Sequence, residues 1–118
     1  MYRIIWSKKI PGGYLKYPFP PSFFHMKANL AALFGGTNNI IISELQAEPW
    51  GPKAIWEMSD FEKEKSMNLV KFRENIEYAK EVGFKEAYFW GAEWWYYEKL
   101  RGNSAIWDEA RRVFSGSF

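Results

Sequence analysis

The stretch IIISELQAEPW, residues 40–50, places a carboxylate, Glu44, directly after an uninterrupted run of isoleucines. Such a run without polar alternation predicts a strand buried on both faces, as in a parallel sheet. We therefore expect Glu44 at the end of the strand, where a parallel sheet opens into its ligand crevice. Gln46, Glu48 and Trp50 follow within a few residues and are expected to surround it.

The chain has 118 residues, a length that suits one domain spanning residues 1–118. Its 16 basic and 14 acidic side chains are interspersed and give a net charge of only +2, so no basic or acidic tract favours nucleic acid or an anionic membrane as partner. Without cysteine there is neither a disulfide framework nor a thiolate metal site. One histidine, His25, is too little for a metal site, so no cofactor is expected.

The N-terminal residues YRIIW lack the basic start and cleavage site of a signal peptide, and no apolar run has the length of a membrane span. The localisation therefore stays open. Aromatic residues make up 20 % of the chain and include seven tryptophans. Because a small core cannot easily satisfy that many indole N–H groups, we expect some tryptophans to line a surface groove.

Strands and helices are predicted to alternate along the chain. Strands are expected over Tyr2–Trp6, Asn39–Ser43 and Ala87–Trp90, with helices over Ser22–Phe34, about Met67–Val82 and from Asn103 or Ser104 to Phe114. Ser59 with Glu62 has the spacing of a capping box. The segments 8–21, 48–58 and 91–103 are predicted to be long loops.

Each long loop follows a strand, and each short connection follows a helix. In parallel α/β folds the active site is built from the loops after the strands, and the acids and aromatics of interest here lie in such loops. Three strands alone would leave exposed edges and an uncovered sheet face. We therefore expect an α/β fold of alternating strand–helix units that forms the C-terminal part of a larger (β/α)8 barrel.

Three segments, YRIIW, IIISELQAEPW and EAYFWGAEWWYY, together resemble the last three strands of a clan A (β/α)8-barrel glycoside hydrolase of the cellulase-like superfamily. The resemblance covers nearly the whole chain, as strands six, seven and eight with their helices. It implies a retaining hydrolysis of O-glycosidic bonds, with Glu44 as the nucleophile at the end of strand seven and Trp90 closing the sugar site at the end of strand eight.

The chain departs from that family because strands one to five and their Asn-Glu acid/base precede Tyr2 in the family pattern. Retaining chemistry needs this second carboxyl group about 5 Å from the nucleophile. We therefore expect this chain alone to be inactive, with the missing N-terminal barrel units as possible partners and an oligo- or polysaccharide as substrate. An alternative for Glu44 is a structural carboxylate that caps a helix or pairs with Arg3.

The remaining candidate residues are expected to bind substrate. Glu48 is the rival of Glu44 as nucleophile, but it is more readily interpreted as a residue that supports the nucleophile or as a ligand of sugar hydroxyls. For Glu93 a ligand of sugar hydroxyls and a structural hydrogen bond to the loop backbone are equally open. Tyr2 could face the barrel or the cleft, and Arg3 could keep Glu44 ionised. Indole faces suit the C–H face of a pyranose, and core packing is expected to claim about half of the four tryptophans considered, namely Trp50, Trp90, Trp94 and Trp95.

Two further functions compete with hydrolysis. A non-catalytic carbohydrate-binding module would use the tryptophans alone, but small modules of that kind are usually all-β. A vestigial barrel fragment without function is the other alternative. Convergence of Glu44, Glu48, Glu93 and the tryptophans at the carboxyl ends of parallel strands would favour the enzyme.

Overall fold

The computed structural model describes residues 1–116 and has a mixed α/β fold in which about half of the residues are helical. Two two-stranded sheets, five α-helices and one short 3-10 helix (Ile55–Glu57) make up the regular structure of this part of the chain. In chain order the elements are β1 (Ile4–Trp6), β2 (Tyr14–Lys16), α1 (Pro21–Gly35), β3 (Ile42–Gln46), α2 (Asp60–Ser66), α3 (Leu69–Val82), β4 (Ala87–Trp90), α4 (Ala92–Leu100) and α5 (Ala105–Phe114).

The strands β3 and β4 are parallel neighbours joined through α3, which makes them a βαβ unit. Asn68 begins α3 by accepting the Lys71 N–H, and Gly83 ends it in the left-handed conformation with φ 67°. One face of the pair packs on helices, where Ile42, Leu45 and Val82 are buried together. The carboxyl ends of both strands therefore point to the same side of the molecule.

A bulge in β3 sets which side chains reach the helices. Ile42 pairs with Ala87 and Leu45 with Phe89, so two residues, Ser43 and Glu44, stand opposite the single residue Tyr88. The extra residue lets Ile42 and Leu45, three positions apart, both pack against α3. Ser43 and Glu44 remain exposed.

The opposite face of this sheet is uncovered among residues 1–116. Tyr88 and Trp90 are 55 % and 51 % exposed, whereas Phe89 between them packs on the core. We call the surface formed by Glu44, Tyr88 and Trp90 the open face. It is a half-apolar sheet surface of the kind that proteins normally cover with another layer.

The strand β1 is joined to β3 by a side chain instead of a ladder. The Gln46 side-chain oxygen accepts the N–H groups of Arg3 and Ile4, both at 2.9 Å, and its Nε2 donates to the Ile4 carbonyl at 2.8 Å. The Gln46 backbone N–H donates to the Met1 carbonyl. With only 1 % exposure, Gln46 satisfies the inner edge of β1 as a neighbouring strand would.

The main core lies between α3, α4 and α5. Phe72 and Ile76 from α3 meet Trp95 from α4 and Ile106 and Val113 from α5. Trp95 stands edge-on to Phe72 with ring centroids 5.5 Å apart. This packing fixes the helix that follows β4, and with it the residues at the carboxyl end of that strand.

Several predicted element boundaries are wrong. Tyr14–Lys16, expected in a loop, forms an antiparallel hairpin with β1, because Gly12 and Gly13 turn the chain with positive φ. The predicted loop 91–103 contains α4, whose aromatic residues conceal its helical spacing. The strand expected over Asn39–Ser43 is observed at Ile42–Gln46, because the chain first pairs with β4 at Ile42. Glu44 consequently lies within the strand and not after it.

The first helix, α1, differs from its prediction in packing more than in length. Met26, Leu30 and Leu33 have the spacing of one apolar helix face, yet they are exposed, at 51 %, 47 % and 74 %. Phe24 instead attaches the helix to Tyr78 of α3 in an edge-to-face contact at 6.2 Å. Two large apolar surfaces, this helix face and the open face, therefore have no cover within residues 1–116.

A search of residues 1–116 for a helix with the length and hydropathy of a membrane span gives none.

Candidate functional site

Glu44 lies on the open face and is contacted by Tyr2. The Tyr2 hydroxyl is hydrogen-bonded to the Glu44 carboxylate, and the pKa of Tyr2 is raised first by burial and then by the negative charges of Glu44 and Glu48. Tyr2 therefore stays a neutral donor to the carboxylate that it contacts. Its ring also stands edge-on to Trp50 at 5.2 Å.

A cavity of about 490 Å³ lies at the carboxyl ends of β3 and β4, and Glu44 is not among the residues that line it. We call it the aromatic cavity; its lining residues are Glu48, Ile55, Trp56, Trp90, Glu93, Trp94 and Tyr97. Three indoles and a phenol form most of its wall. Two carboxylates provide its charge, and no basic side chain lines it.

Glu48 is the half-buried acid of the cavity. Burial raises the pKa of Glu48, a hydrogen bond from the Trp90 side chain lowers it in part, and the charge of Glu93 raises it again. The carboxyl group of Glu48 therefore keeps its proton to a higher pH than that of a free glutamate. Because Tyr2 feels the charges of both Glu44 and Glu48, the two carboxylates share one electrostatic neighbourhood.

The two loops of the cavity are held together at Gly91. Its backbone has φ 136°, and a Cβ there would lie 2.7 Å from the Glu48 Cβ and 2.8 Å from the Ala47 carbonyl carbon. The Gly91 carbonyl accepts the N–H groups of Trp94 and Trp95 and so starts α4. This close backbone approach brings Glu48 next to Trp90 and Glu93.

Not all predicted site residues reach the cavity. Trp95 is buried in the core and donates its indole N–H to the Ala47 carbonyl at 2.7 Å, so it supports the β3 loop from behind. The Arg3 guanidinium lies over the Tyr78 ring, 3.6 Å from its centroid, and no ion pair within residues 1–116 joins it to Glu44. Trp50 is 43 % exposed and borders Tyr2 instead of the cavity. Trp94 is buried yet forms part of the cavity wall.

Three wall residues, Ile55, Trp56 and Tyr97, were not among the predicted site residues. Trp56 is 72 % exposed in the turn Ile55–Glu57, and the aromatic loop 48–58 was the signal that could have indicated it. Tyr97 lies four residues after Glu93 on α4, so the two share a helix face. That relation was hidden because the segment was predicted to be a loop.

The arrangement suits the recognition of a ring with one apolar face and polar edges. Indole faces bind apolar C–H surfaces, and carboxylate oxygens accept hydrogen bonds from hydroxyl or amine groups. Within residues 1–116 no group of three or more histidine, aspartate or glutamate side chains could hold a metal ion.

Comparison of the chain with protein-family models, with curated proteins and with solved structures finds no match. The fold and the arrangement of Glu44, Tyr2 and the aromatic cavity are consequently the basis for any functional conclusion.

Proposed function

We propose that this chain supplies the nucleophile and the sugar-binding platform of a retaining glycoside hydrolase. The observation that carries the proposal is the position of Glu44: it is exposed on the open face, contacted by the Tyr2 hydroxyl, and carried by the strand β3, whose following loop supplies Glu48 to a cavity with aromatic walls. In this reading Glu44 attacks the anomeric carbon, and the indoles position the ring.

The uncovered surfaces support a barrel as the complete architecture. A parallel βαβ unit with one open face and an exposed apolar helix face is typical of a piece of a closed α/β barrel, whose lumen would be that open face. In this proposal further βα units cover α1 and the edges of the sheet. They also provide the second carboxylic acid, which protonates the leaving oxygen.

Two variants of the full gene product test the proposal. Glu44→Ala should lower kcat on aryl glycosides by about 10⁴-fold or more, because the covalent step loses its nucleophile. Oligosaccharide binding should be largely retained, since the aromatic cavity is unchanged. Glu64→Gln, which alters an exposed glutamate outside the cavity, is the matched control.

A fluorinated glycosyl donor gives an independent readout. Slow turnover of a 2-deoxy-2-fluoro glycoside should leave a sugar covalently attached to the protein, and peptide mapping should locate it on Glu44. Attachment to another carboxylate would exclude Glu44 as nucleophile. Loss of both binding and turnover in Glu44→Ala would indicate a structural role for this residue.

A non-catalytic glycan-binding role is the second candidate. It is favoured by one observation, that the aromatic cavity needs no acid/base pair to bind a sugar. Under this role the oligosaccharide would bind normally, Glu44→Ala would change nothing, and no aryl glycoside would be cleaved.

A further inference from the structure

The aromatic cavity has an excess of negative charge and of hydrogen-bond acceptors. Its two carboxylates offer several acceptor sites each, whereas no lysine, arginine or histidine lines the wall. One of the available donors, the Trp90 side chain, already bonds to Glu48. A ligand that fits the cavity must therefore bring donors of its own, and a positive charge in addition would offset the repulsion between the acids.

The walls add a second preference for a cation. The ring faces of tryptophan and tyrosine attract an ammonium group, and three indoles and one phenol surround this cavity. Trp94 is only 6 % exposed, and its indole N–H has no hydrogen-bond partner within residues 1–116. Buried aromatic faces next to carboxylates resemble the cages that proteins use for ammonium ligands.

The basic groups nearby do not neutralise the cavity. Lys63 and Arg101 lie 5.5 and 5.4 Å from the centroid of the Tyr97 ring, but neither lines the cavity. Lys63 pairs with Glu98 at 3.0 Å, and Arg101 pairs with the same carboxylate at 3.1 Å. Their charges are therefore compensated by Glu98 in a separate ion-pair network. Glu44 adds a further negative charge on the open face.

We propose that the aromatic cavity binds a sugar unit that carries a protonated amine, such as a glucosamine or galactosamine residue. The ammonium group donates to Glu48 and Glu93, and the pyranose ring lies against the indoles of Trp56 and Trp90. This inference rests on the proposed function and specifies its substrate class. A neutral sugar of the same shape offers a hydroxyl in place of the ammonium, with one donor instead of three and no charge.

The test is a titration of the chain with D-glucosamine and D-galactosamine, each compared with glucose and galactose, with the indole N–H signals followed by NMR. We expect each amino sugar to bind about tenfold or more tightly than its neutral counterpart, because charged hydrogen bonds are stronger than neutral ones. The Trp90 signal should shift on binding. The signal of Trp95, whose N–H is bonded to Ala47 in the core, serves as the internal reference.

Charge variants separate recognition of the amine from binding of a ring. Glu48→Gln and Glu93→Gln should each remove most of the preference for the amino sugar, and Glu64→Gln should retain it. The preference should also weaken as the pH falls through the raised pKa of Glu48, because a protonated carboxyl group no longer pairs with an ammonium. Glu48→Gln keeps an oxygen that can accept the Trp90 hydrogen bond, and the NMR spectra of both amide variants report whether the fold is intact.

The outcomes distinguish this inference from the function on which it rests. Equal binding of neutral and amino sugars, with no effect of either amide variant, would overturn the amino-sugar assignment and leave the sugar platform standing. If neither the amino sugars nor neutral oligosaccharides bind, both the assignment and the sugar platform fail.

Discussion

Replacing Gln46 by leucine tests the unusual attachment of β1 to β3. The change keeps the side-chain volume roughly constant but leaves the N–H groups of Arg3 and Ile4 and the carbonyl of Ile4 without partners. Each unsatisfied buried group costs about 1–3 kcal/mol, hence about 3 kcal/mol at the lower bound for three groups. Leucine recovers about 1 kcal/mol by its more favourable burial. We expect a net loss of about 2 kcal/mol in the free energy of unfolding, which combines these two values.

Urea denaturation measures that loss, and amide hydrogen exchange locates it. The Arg3 and Ile4 amides should lose protection, whereas amides in the middle of α3 should change only with global stability. The variant Gln46→Glu refines the test: its carboxylate can accept from both N–H groups but can donate to Ile4 only when protonated, so its deficit should be smaller at acidic than at neutral pH. A Gln46→Leu protein within about 0.5 kcal/mol of the parent, with unchanged protection of both amides, would refute the reasoning.

Three further predictions concern the turn at Gly91, a buried acid and the tryptophans. Gly91→Ala should lower the free energy of unfolding by about 2 kcal/mol or more, because of the positive φ and the contact of the new Cβ with the β3 loop. Gly102→Ala, with φ 91° and nothing within 4 Å of its Cβ, should lower it by only about 1 kcal/mol, and urea denaturation of both variants compares them. Two arginines lower the pKa of Glu109 to about 2, so its contribution to stability is present above its ordinary pKa and is lost as the pH falls through about 2. Glu109→Gln should remove this contribution, about 1 kcal/mol since the arginines are half exposed, and an unchanged acid branch in the melting temperature would contradict the assignment. Trp56→Ala should weaken glycan binding without changing the melting temperature, whereas Trp95→Ala should lower the melting temperature strongly. The reverse result would show that the two rings are assigned wrongly.

The βαβ unit was predictable because its signals are local. The period of α3, the glycine that ends it and the apolar run of β4 are all readable along the chain, and the capping of α2 by Ser59 through the Glu62 N–H is confirmed. The first residue of α3, Leu69, lies two residues after the predicted start near Met67. Such features depend on neighbours in sequence and need no knowledge of the tertiary structure.

The missed features depend on contacts between distant residues. Pairing with Ala87 decides where β3 begins, and the bulge at Ser43 and Glu44 exists only relative to that partner. Trp94 and Trp95 occur in an aromatic run without visible helical period. Only the packing of α4 against the core determines that Trp94 lines the cavity and that Trp95 does not. The prediction that Arg3 could pair with Glu44 failed similarly, because the Tyr78 ring, far away in sequence, takes the guanidinium.

The bulge also separates two requirements that usually compete within one strand, namely packing on the helix layer and the choice of side chain on the exposed face. Since the spare residue absorbs the change of register, Ile42 and Leu45 seal the helix layer whatever side chain stands at position 44. Substitutions there are free to vary chemistry with little penalty to folding. The exposed carboxylate at position 44 can therefore change its chemistry while the packing of the sheet on the helices is kept.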